Sequence, residues 1–198
     1  MNFLAHAYLS FDDPKILVGN FIGDFVRGDI ESRFEPAIVH GIYLHREIDN
    51  FTDSHPTVKA AQKLLKPQFG RYALVITDLY FDYFLSTEWS NYDYRSLTDF
   101  SLTVYDVLEE HRKVLPKKFL HIFEYMKKQN WLICYATMDG MKTAFTNMSK
   151  RAAFESRMEL AHLVLEEKEE VFREFFNVFF PELISFSKDK ISELKAGI

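Results

Sequence analysis

The sequence predicts an irregular all-α fold, a single multi-helix domain over residues 1–198. In most segments apolar residues recur at the spacing of a helix. Twenty Phe and ten Tyr stand against only seven Gly and six Pro, a ratio that favours long helices around an aromatic core over many short strands. The length also suits one core, since a domain usually has about 100–200 residues.

The first half of the chain predicts five helices. The earliest is a short apolar helix that begins near the N-terminus and carries His6. Next, residues 15–27 place apolar side chains at positions 17, 18, 21, 22, 25 and 26, which is helical spacing. Segments 37–53, 56–66 and 70–87 follow, and prolines are expected mostly where helices start or stop.

The second half is predicted from caps and breaks. Ser96 or Thr98 can cap a helix that runs to about Val114, and Pro116 opens the next one. The Asp139-Gly140 pair is expected to separate the segment "NWLICYATM" from another short helix. A long helix with an acidic, solvated face is predicted over 151–180, and a weaker helix over 182–195.

Composition and missing motifs restrict the function. The N-terminus has neither a basic region nor a long apolar run, so we expect no signal peptide, no membrane span and a cytoplasmic location. A net charge of −5 disfavours binding to nucleic acid. Because Cys134 is the only cysteine, a metal would need His and carboxylate ligands. No P-loop, G-x-G-x-x-G or G-x-S-x-G motif occurs.

Two carboxylates interrupt an apolar helix. In "ALVITDLYFDYFL", residues 73–85, Asp78 and Asp82 are four residues apart and project from one face. Burying either without a partner would cost several kcal/mol or force protonation, so compensation is expected. The candidates are a divalent cation, a shared proton, or one of three arginines, namely Arg27, Arg46 and Arg71.

Similar polar positions occur on two other predicted helices. In "GIYLHREIDNFTDSHP", residues 41–56, His45 and Asp49 have the i, i+4 spacing that helical metal sites use. Asn20, Asp24 and Arg27 form a weaker polar stripe on the helix predicted over 15–27. Five side chains together suit an octahedral N/O site for Mn²⁺, Mg²⁺ or Fe²⁺, with His6 as a further ligand. They are Asp24, His45, Asp49, Asp78 and Asp82.

Several segments together resemble the acyl carrier protein phosphodiesterase family. They are "MNFLAHAYLS" at 1–10, "GNFIGDFVRG" at 19–28, "GIYLHREIDNFTDSHP" at 41–56, "DLYFDYFL" at 78–85 and, more loosely, "NWLICYATMDGM" at 130–141. The resemblance implies an Mn²⁺-dependent hydrolase that removes 4′-phosphopantetheine from holo acyl carrier protein and leaves the apo protein. It also implies an all-helical relative of the HD-domain metal phosphohydrolases.

The resemblance also implies roles for individual residues. Asp24, His45 and Asp78, with His6, would hold the metal, although His45-Arg46 replaces the His-Asp pair of an HD domain. Arg46 and Arg27 would bind the phosphodiester, because a guanidinium can bind it through two hydrogen bonds. Asp49 or Asp82 would orient the attacking water or act as general base.

A strongly acidic carrier protein, as the resemblance implies, would need a basic docking surface. Three clusters are available, and none is favoured by sequence alone. They are residues 117–118, 127–128, and 150–151 with Arg157.

Two alternatives remain open from the sequence. One is an HD-like phosphohydrolase that acts on a nucleotide or another small phosphodiester and shares the metal site. The other is a non-catalytic module that binds acyl carrier protein and satisfies its carboxylates with arginines. It is disfavoured because pairing Asp78 and Asp82 with arginines in an aromatic core would be costly.

Overall fold

A computed structural model describes residues 1–197, and in that range the chain forms α-helices and short 3-10 turns without a β-strand. The all-α prediction is confirmed. The helices are α1 (Phe3–Tyr8), α2 (Pro14–Ile22), α3 (Pro36–Ser54), α4 (Pro56–Phe69), α5 (Ala73–Thr87), α6 (Leu97–Glu110), α7 (Lys117–Gln129), α8 (Trp131–Cys134), α9 (Met138–Arg151), α10 (Ala161–Glu167) and α11 (Glu169–Ala196).

Proline starts three of the helices that surround the site. Pro14, Pro36 and Pro56 each occupy the first turn of α2, α3 or α4, where the missing N–H costs no intrahelical hydrogen bond. The Asp13 side chain adds a cap to α2 by accepting hydrogen bonds from the backbone N–H groups of Lys15 and Ile16, each at 3.2 Å. The predicted starts of these helices are therefore confirmed.

Two glycines let α2 and α3 approach backbone to backbone. A Cβ atom on Gly19 would lie 2.1 Å from the Ile38 carbonyl oxygen, and one on Gly41 would lie 2.2 Å from that of Ile16. Real Cβ contacts of this length do not occur, so only glycine fits at either position. The close contact brings the last turn of α2 against α3, where His45 lies.

The core is aromatic, as predicted, and α11 supplies much of it. Phe176, Phe179 and Phe180 of α11 are fully buried. The Phe179 ring stacks on Phe81 of α5 with centroids 5.4 Å apart. Buried aromatic side chains of this size contribute most of the apolar area that stabilises a small helical domain. The core holds α5, and with it Asp78 and Asp82, in a fixed position.

The prediction for residues 151–195 is wrong in its divisions. The chain leaves helical geometry after Arg151 and reaches α10 through a 3-10 turn at Met158–Leu160. Arg157 has a φ of 53°, which a continuous helix does not allow. Pro181, expected to separate two helices, lies inside α11. Buried Phe180 and Leu183 on either side of Pro181 hold both halves of α11 against the core.

Two other predicted boundaries are also wrong. The helix predicted over 15–27 ends at Ile22, and a 3-10 turn at Gly23–Phe25 follows it. Asn20, Asp24 and Arg27 therefore do not form one helical stripe. Asp139 and Gly140 lie in the first turn of α9 and do not precede it, because the Thr137 hydroxyl caps that turn through the Gly140 N–H at 3.1 Å. No helix within residues 1–197 is both long and apolar enough to span a membrane.

Candidate active site

The site is built around two stacked imidazoles. His6 of α1 and His45 of α3 are both buried, and their ring centroids lie 4.2 Å apart with an angle of 22° between the planes. One comes from the first helix and the other from the helix that packs against α2. Their Nε2 atoms point to the same side, because both approach Asp49.

Asn20 fixes the proton position on both rings. Its side-chain Oδ1 lies 2.7 Å from Nδ1 of His6, and its backbone carbonyl oxygen lies 2.8 Å from Nδ1 of His45. Both oxygens are acceptors, so each Nδ1 must carry the hydrogen. In a neutral ring, Nε2 is then left with its lone pair. One buried residue therefore turns two imidazoles toward the site as potential ligands.

The Asn20 amide is itself held in one orientation. Its Nδ2 donates to the His6 carbonyl oxygen at 2.8 Å and to the Ser10 hydroxyl at 3.1 Å. These two acceptors place Oδ1 against the His6 ring. The Asn20 carbonyl is free to accept from His45 because it belongs to the last turn of α2, where carbonyls lack intrahelical partners.

Gly23 makes room for His45. A Cβ atom at position 23 would lie 2.3 Å from Cγ of the His45 ring. Only a residue without a side chain can therefore occupy the turn that follows α2.

Asp49 joins the two rings. Its Oδ1 lies 3.3 Å from Nε2 of His6, and its Oδ2 lies 3.3 Å from Nε2 of His45. Asp24 approaches His45 Nε2 at the same distance of 3.3 Å from the exposed side, where 75% of its side chain is open to solvent. The prediction that His45 and Asp49 share one face of a helix is confirmed.

The geometry of these contacts suits a cation. Nε2 of His6 and of His45 are buried and have no aligned hydrogen-bond partner, although carboxylate oxygens lie close by. Buried polar atoms normally have a partner. Ligand atoms of His6, His45 and Asp49 all lie within 4.8 Å of one another, so one ion could contact all three. These residues fit a divalent metal.

Burial and neighbouring charges move the pKa values apart. Burial, with the charge of His45, lowers the pKa of His6 to about 4 and keeps that ring neutral. Burial also disfavours a charged His45, but Asp24 and Asp49 outweigh it and raise its pKa to about 9. Burial opposes ionisation of Asp49 too, yet His45 and His6 hold its pKa well below the usual range. Asp49 is therefore a fixed negative charge between the rings.

A cavity of about 230 Å³ opens beside this cluster. Asp78 faces it with 27% of its side chain exposed, and its Oδ1 forms an ion pair with the α-amino group of Met1 at 3.6 Å. Burial raises the pKa of Asp78 above its ordinary value. The polar wall includes Asn2, His6, Asn20, Asp24, His45 and Asp78, and the apolar wall includes Phe3, Phe21, Val75 and Leu79.

Asp82 points away from the cavity, contrary to its predicted place beside the attacking water. Its two oxygens accept hydrogen bonds from the backbone N–H groups of Leu4, at 3.1 Å, and Ala5, at 3.3 Å. These are orphan donors at the start of α1, so Asp82 anchors the helix that carries His6. Helix amides are therefore the hydrogen-bond partners of this carboxyl group. The sequence had offered a divalent cation, an arginine or a shared proton as candidates and had not anticipated backbone amides.

The arginines expected to bind the phosphodiester do not line the cavity. Arg27 is exposed beyond the 3-10 turn, and Arg46 lies against Tyr43, with its guanidinium carbon 5.8 Å from the ring centroid. Arg71 belongs to a different surface cleft, stacked on Phe154 at 4.2 Å. Arg46 follows His45 directly, and neighbouring residues of a helix face about 100° apart, so the two side chains do not share a face of α3.

The sequence did not single out Asn20 and Gly23 as site residues. Asn20 was seen only as part of a polar stripe, although a neutral amide in an otherwise apolar helix is itself a signal of a buried network. Nothing in the sequence marks Gly23, because the need for glycine arises from a side chain that is 22 residues away along the chain.

The fold and the site together define an all-α protein that gathers imidazoles and carboxylates at the wall of a cavity. The family model for acyl carrier protein phosphodiesterase matches residues 1–183. The chain belongs to this family.

Relatives support the same assignment. A protein from Photorhabdus laumondii named acyl carrier protein phosphodiesterase is 32% identical over 191 residues, which cover 96% of each chain. One of the same name from Yersinia enterocolitica is 32% identical over 96% of this chain and 99% of its own. Another from Escherichia coli is 35% identical over 76% of this chain and 79% of its own. No solved structure matches significantly, so the HD-domain resemblance stays a prediction.

Proposed function

We propose that this protein hydrolyses the phosphodiester that joins 4′-phosphopantetheine to acyl carrier protein, and that a divalent cation held by His6, His45 and Asp49 assists the reaction. The observation that carries the proposal is the convergence of the buried Nε2 atoms of His6 and His45, two residues that line the cavity, with the carboxylate of Asp49. A cation bound there would displace the proton that His45, with its pKa raised to about 9, otherwise keeps. The names of the relatives supply the substrate class.

The donor set suits Mn²⁺ or Fe²⁺, and Mg²⁺ less well, because it combines two imidazole nitrogens with one hard carboxylate oxygen. The preference for Mn²⁺ comes from the family resemblance. Such an ion, when bound, activates water as a nucleophile and stabilises charge on the phosphoryl oxygens. Because Asn20 accepts from Nδ1 of both histidines, it orients both Nε2 atoms toward the proposed metal position. Asp24, whose oxygen lies 3.3 Å from Nε2 of His45, is close enough to join the ligand set.

We assign Asp78 the proton transfer and not the metal ligation that the resemblance implied, because the ligand atoms within 4.8 Å of one another belong to His6, His45 and Asp49. It is the carboxyl group of α5 that faces the cavity, and burial raises its pKa, so it holds a proton more readily than an ordinary aspartate. Water adds to phosphorus, the bond between phosphorus and the seryl oxygen breaks, and that oxygen takes a proton. Asp78 is placed to donate it. The products are the apo carrier protein and 4′-phosphopantetheine.

The apolar residues of the cavity wall would contact a different part of the substrate from the phosphate. The uncharged part of the cavity wall is a hydrocarbon surface that suits the methyl-bearing pantetheine arm. It is formed by Phe3, Phe21, Val75 and Leu79. The cavity thus offers polar groups for the phosphate and an apolar face for the arm.

Mass spectrometry of holo acyl carrier protein tests the proposal. The protein should convert it to the apo form with Mn²⁺ and fail to do so with EDTA. Parallel incubations with bis(p-nitrophenyl) phosphate and cyclic nucleotides test the small-phosphodiester alternative. If the carrier protein keeps its mass while a small diester is hydrolysed, the proposed substrate is wrong. If nothing is hydrolysed with any divalent ion, the enzymatic proposal fails.

A further inference from the structure

The Asn2 side chain lies at the cavity and does not perform the usual task of its position. Asn2 is the N-cap residue of α1. Asparagine is among the preferred residues there, because its side-chain oxygen can accept from the N–H groups of the second and third helical residues. In this chain the Asn2 side chain makes no capping hydrogen bond and lines the cavity that His6 and His45 also line. It is therefore available for another interaction.

Asp82 supplies the cap in its place. The N–H groups that an N-cap side chain would satisfy belong to Leu4 and Ala5, and the oxygens of Asp82 accept from them at 3.1 and 3.3 Å. These N–H groups are therefore not available to a ligand. The Asn2 side chain, in turn, is not needed to hold the start of α1.

The amide nitrogen of Asn2 is a buried donor without an acceptor. Its Nδ2 forms no hydrogen bond with any group of residues 1–197. Burial raises the pKa of the neighbouring Tyr135, and the Asn2 side chain lowers it, but no aligned hydrogen bond joins the two groups. Because a buried N–H group without a partner destabilises the fold, its presence at a cavity indicates that a ligand supplies the acceptor.

The cavity offers a phosphodiester few other free donors. In the part of the chain that the structure describes, no lysine or arginine side chain lines it. The α-amino group of Met1 is paired with Asp49 and Asp78. Nδ2 of Asn20 donates to two acceptors of the protein itself. Of the two side-chain amides at the cavity, that of Asn2 is the one with an uncommitted N–H group.

We propose that Asn2 binds the phosphodiester, with Nδ2 donating a hydrogen bond to a non-bridging phosphoryl oxygen. This inference rests on the proposed function. A fixed, uncharged donor in a buried site stabilises the negative charge that these oxygens carry during hydrolysis, and a hydrogen bond to a charged oxygen is stronger than one to a neutral acceptor. Carbonyl oxygens of the pantetheine arm are the competing acceptors.

Two variants remove the donor in different ways. Asn2→Asp keeps the shape of the side chain and an equally preferred N-cap residue, but replaces the N–H donor with a carboxylate oxygen. Asn2→Leu removes the donor without adding charge, and it loses no capping hydrogen bond because none exists. The matched control is Asn147→Asp, at an exposed position of α9 that does not line the cavity.

Binding of 4′-phosphopantetheine tests the proposal without turnover, because its phosphate carries the same non-bridging oxygens. The titration is followed by NMR with Mg²⁺ present, and the side-chain ¹H–¹⁵N signals of Asn2 are identified by their loss in Asn2→Asp. One Asn2 amide proton should move downfield with 4′-phosphopantetheine and stay in place with pantetheine, which lacks the phosphate. The Kd for 4′-phosphopantetheine should rise at least about tenfold in both Asn2 variants and stay unchanged in Asn147→Asp.

The outcomes separate this inference from the proposed function. Unmoved Asn2 signals with equal Kd values in all four proteins would overturn the role of Asn2, and hydrolysis of holo acyl carrier protein by the wild type would then leave the proposed function intact. An equal shift with pantetheine would overturn the assignment to the phosphate. A phosphate-dependent shift in a protein that never hydrolyses the carrier protein would support the phosphate contact and reject the proposed function.

Discussion

The carbonyl oxygen of Asn20 lies 2.8 Å from Nδ1 of His45, while the side chain of the same asparagine is 2.7 Å from Nδ1 of His6. Both imidazoles are therefore oriented by one residue, one through its backbone and the other through its side chain. This difference makes the two histidines separable by mutation.

Asn20→Leu should disturb His6 and spare His45. The leucine removes Oδ1, so the His6 ring loses the acceptor that selects its tautomer, whereas the backbone carbonyl still engages His45. We expect Mn²⁺ affinity and activity to fall about 10–100-fold. ¹⁵N NMR of the histidines should show a mixed tautomer for His6 alone. Ser101→Ala, which removes a buried hydrogen bond in α6, is the control. An unchanged His6 tautomer in Asn20→Leu would contradict this role.

Gly23→Ala should damage the site more than the fold. The added methyl group would meet Cγ of His45 at 2.3 Å, so the imidazole must move away from Asp49. We expect at least about a tenfold loss of Mn²⁺ affinity, as for a lost orienting contact. The matched control is Gly28→Ala, where no atom lies within 4 Å and only a positive φ of 77° opposes the change, at a cost of about 1 kcal/mol. Full Mn²⁺ affinity in Gly23→Ala would show that His45 does not depend on this space.

His6→Ala and His45→Ala should each abolish tight Mn²⁺ binding. Each variant removes one of three ligand atoms that lie within 4.8 Å of one another. Electron paramagnetic resonance of free Mn²⁺ during titration measures the bound fraction directly. His121→Ala, at an exposed position of α7, should bind like the wild type. Undiminished binding by either site variant would move the metal elsewhere or remove it from the account.

Stability should depend on pH through Asp82. Burial raises the pKa of this carboxyl group to about 7 in the folded chain from an ordinary value of 3.8. The folded state therefore binds a proton that the unfolded state lacks between these values, and the free energy of unfolding falls as pH rises through that window, by at most about 1.4 kcal/mol per pH unit.

Asp82→Asn should remove that dependence. Urea unfolding at pH 5 and pH 7 measures it, and the wild type should lose more stability between the two values than the variant loses. Asp99→Asn, on the exposed first turn of α6, should keep the wild-type pH dependence. Parallel pH profiles for wild type and Asp82→Asn would mean that Asp82 stays ionised in the fold.

Much of the architecture follows from local signals. Three helices begin at a proline, namely Pro14, Pro36 and Pro56. The fixed φ of proline suits the first turn of a helix, and its missing N–H costs no hydrogen bond there. The same rule failed at Pro181, where the aromatic residues of α11 hold the helix together across the proline. The local sequence shows the cost of a proline inside a helix, but it does not show the tertiary packing that outweighs this cost.

The sequence predicted which ionisable residues belong to the site, but it did not predict most of their hydrogen-bond partners. The i, i+4 spacing of His45 and Asp49 is a property of one helix and was read correctly. The partners of Asp82 could not be predicted, because they are backbone N–H groups that lie 77 and 78 residues away along the chain. Nor could the sequence tell that Arg27 and Arg46 lie off the cavity, since the helix predicted to carry Arg27 ends at Ile22.

The most direct test of the central claim is a single-turnover measurement of phosphopantetheine loss from holo acyl carrier protein, followed by mass spectrometry, with Mn²⁺ and the enzyme in excess. Wild type and His121→Ala should release the arm at the same rate, and His45→Ala should release none. Release by His45→Ala at the wild-type rate would show that the stacked imidazoles are not the active centre.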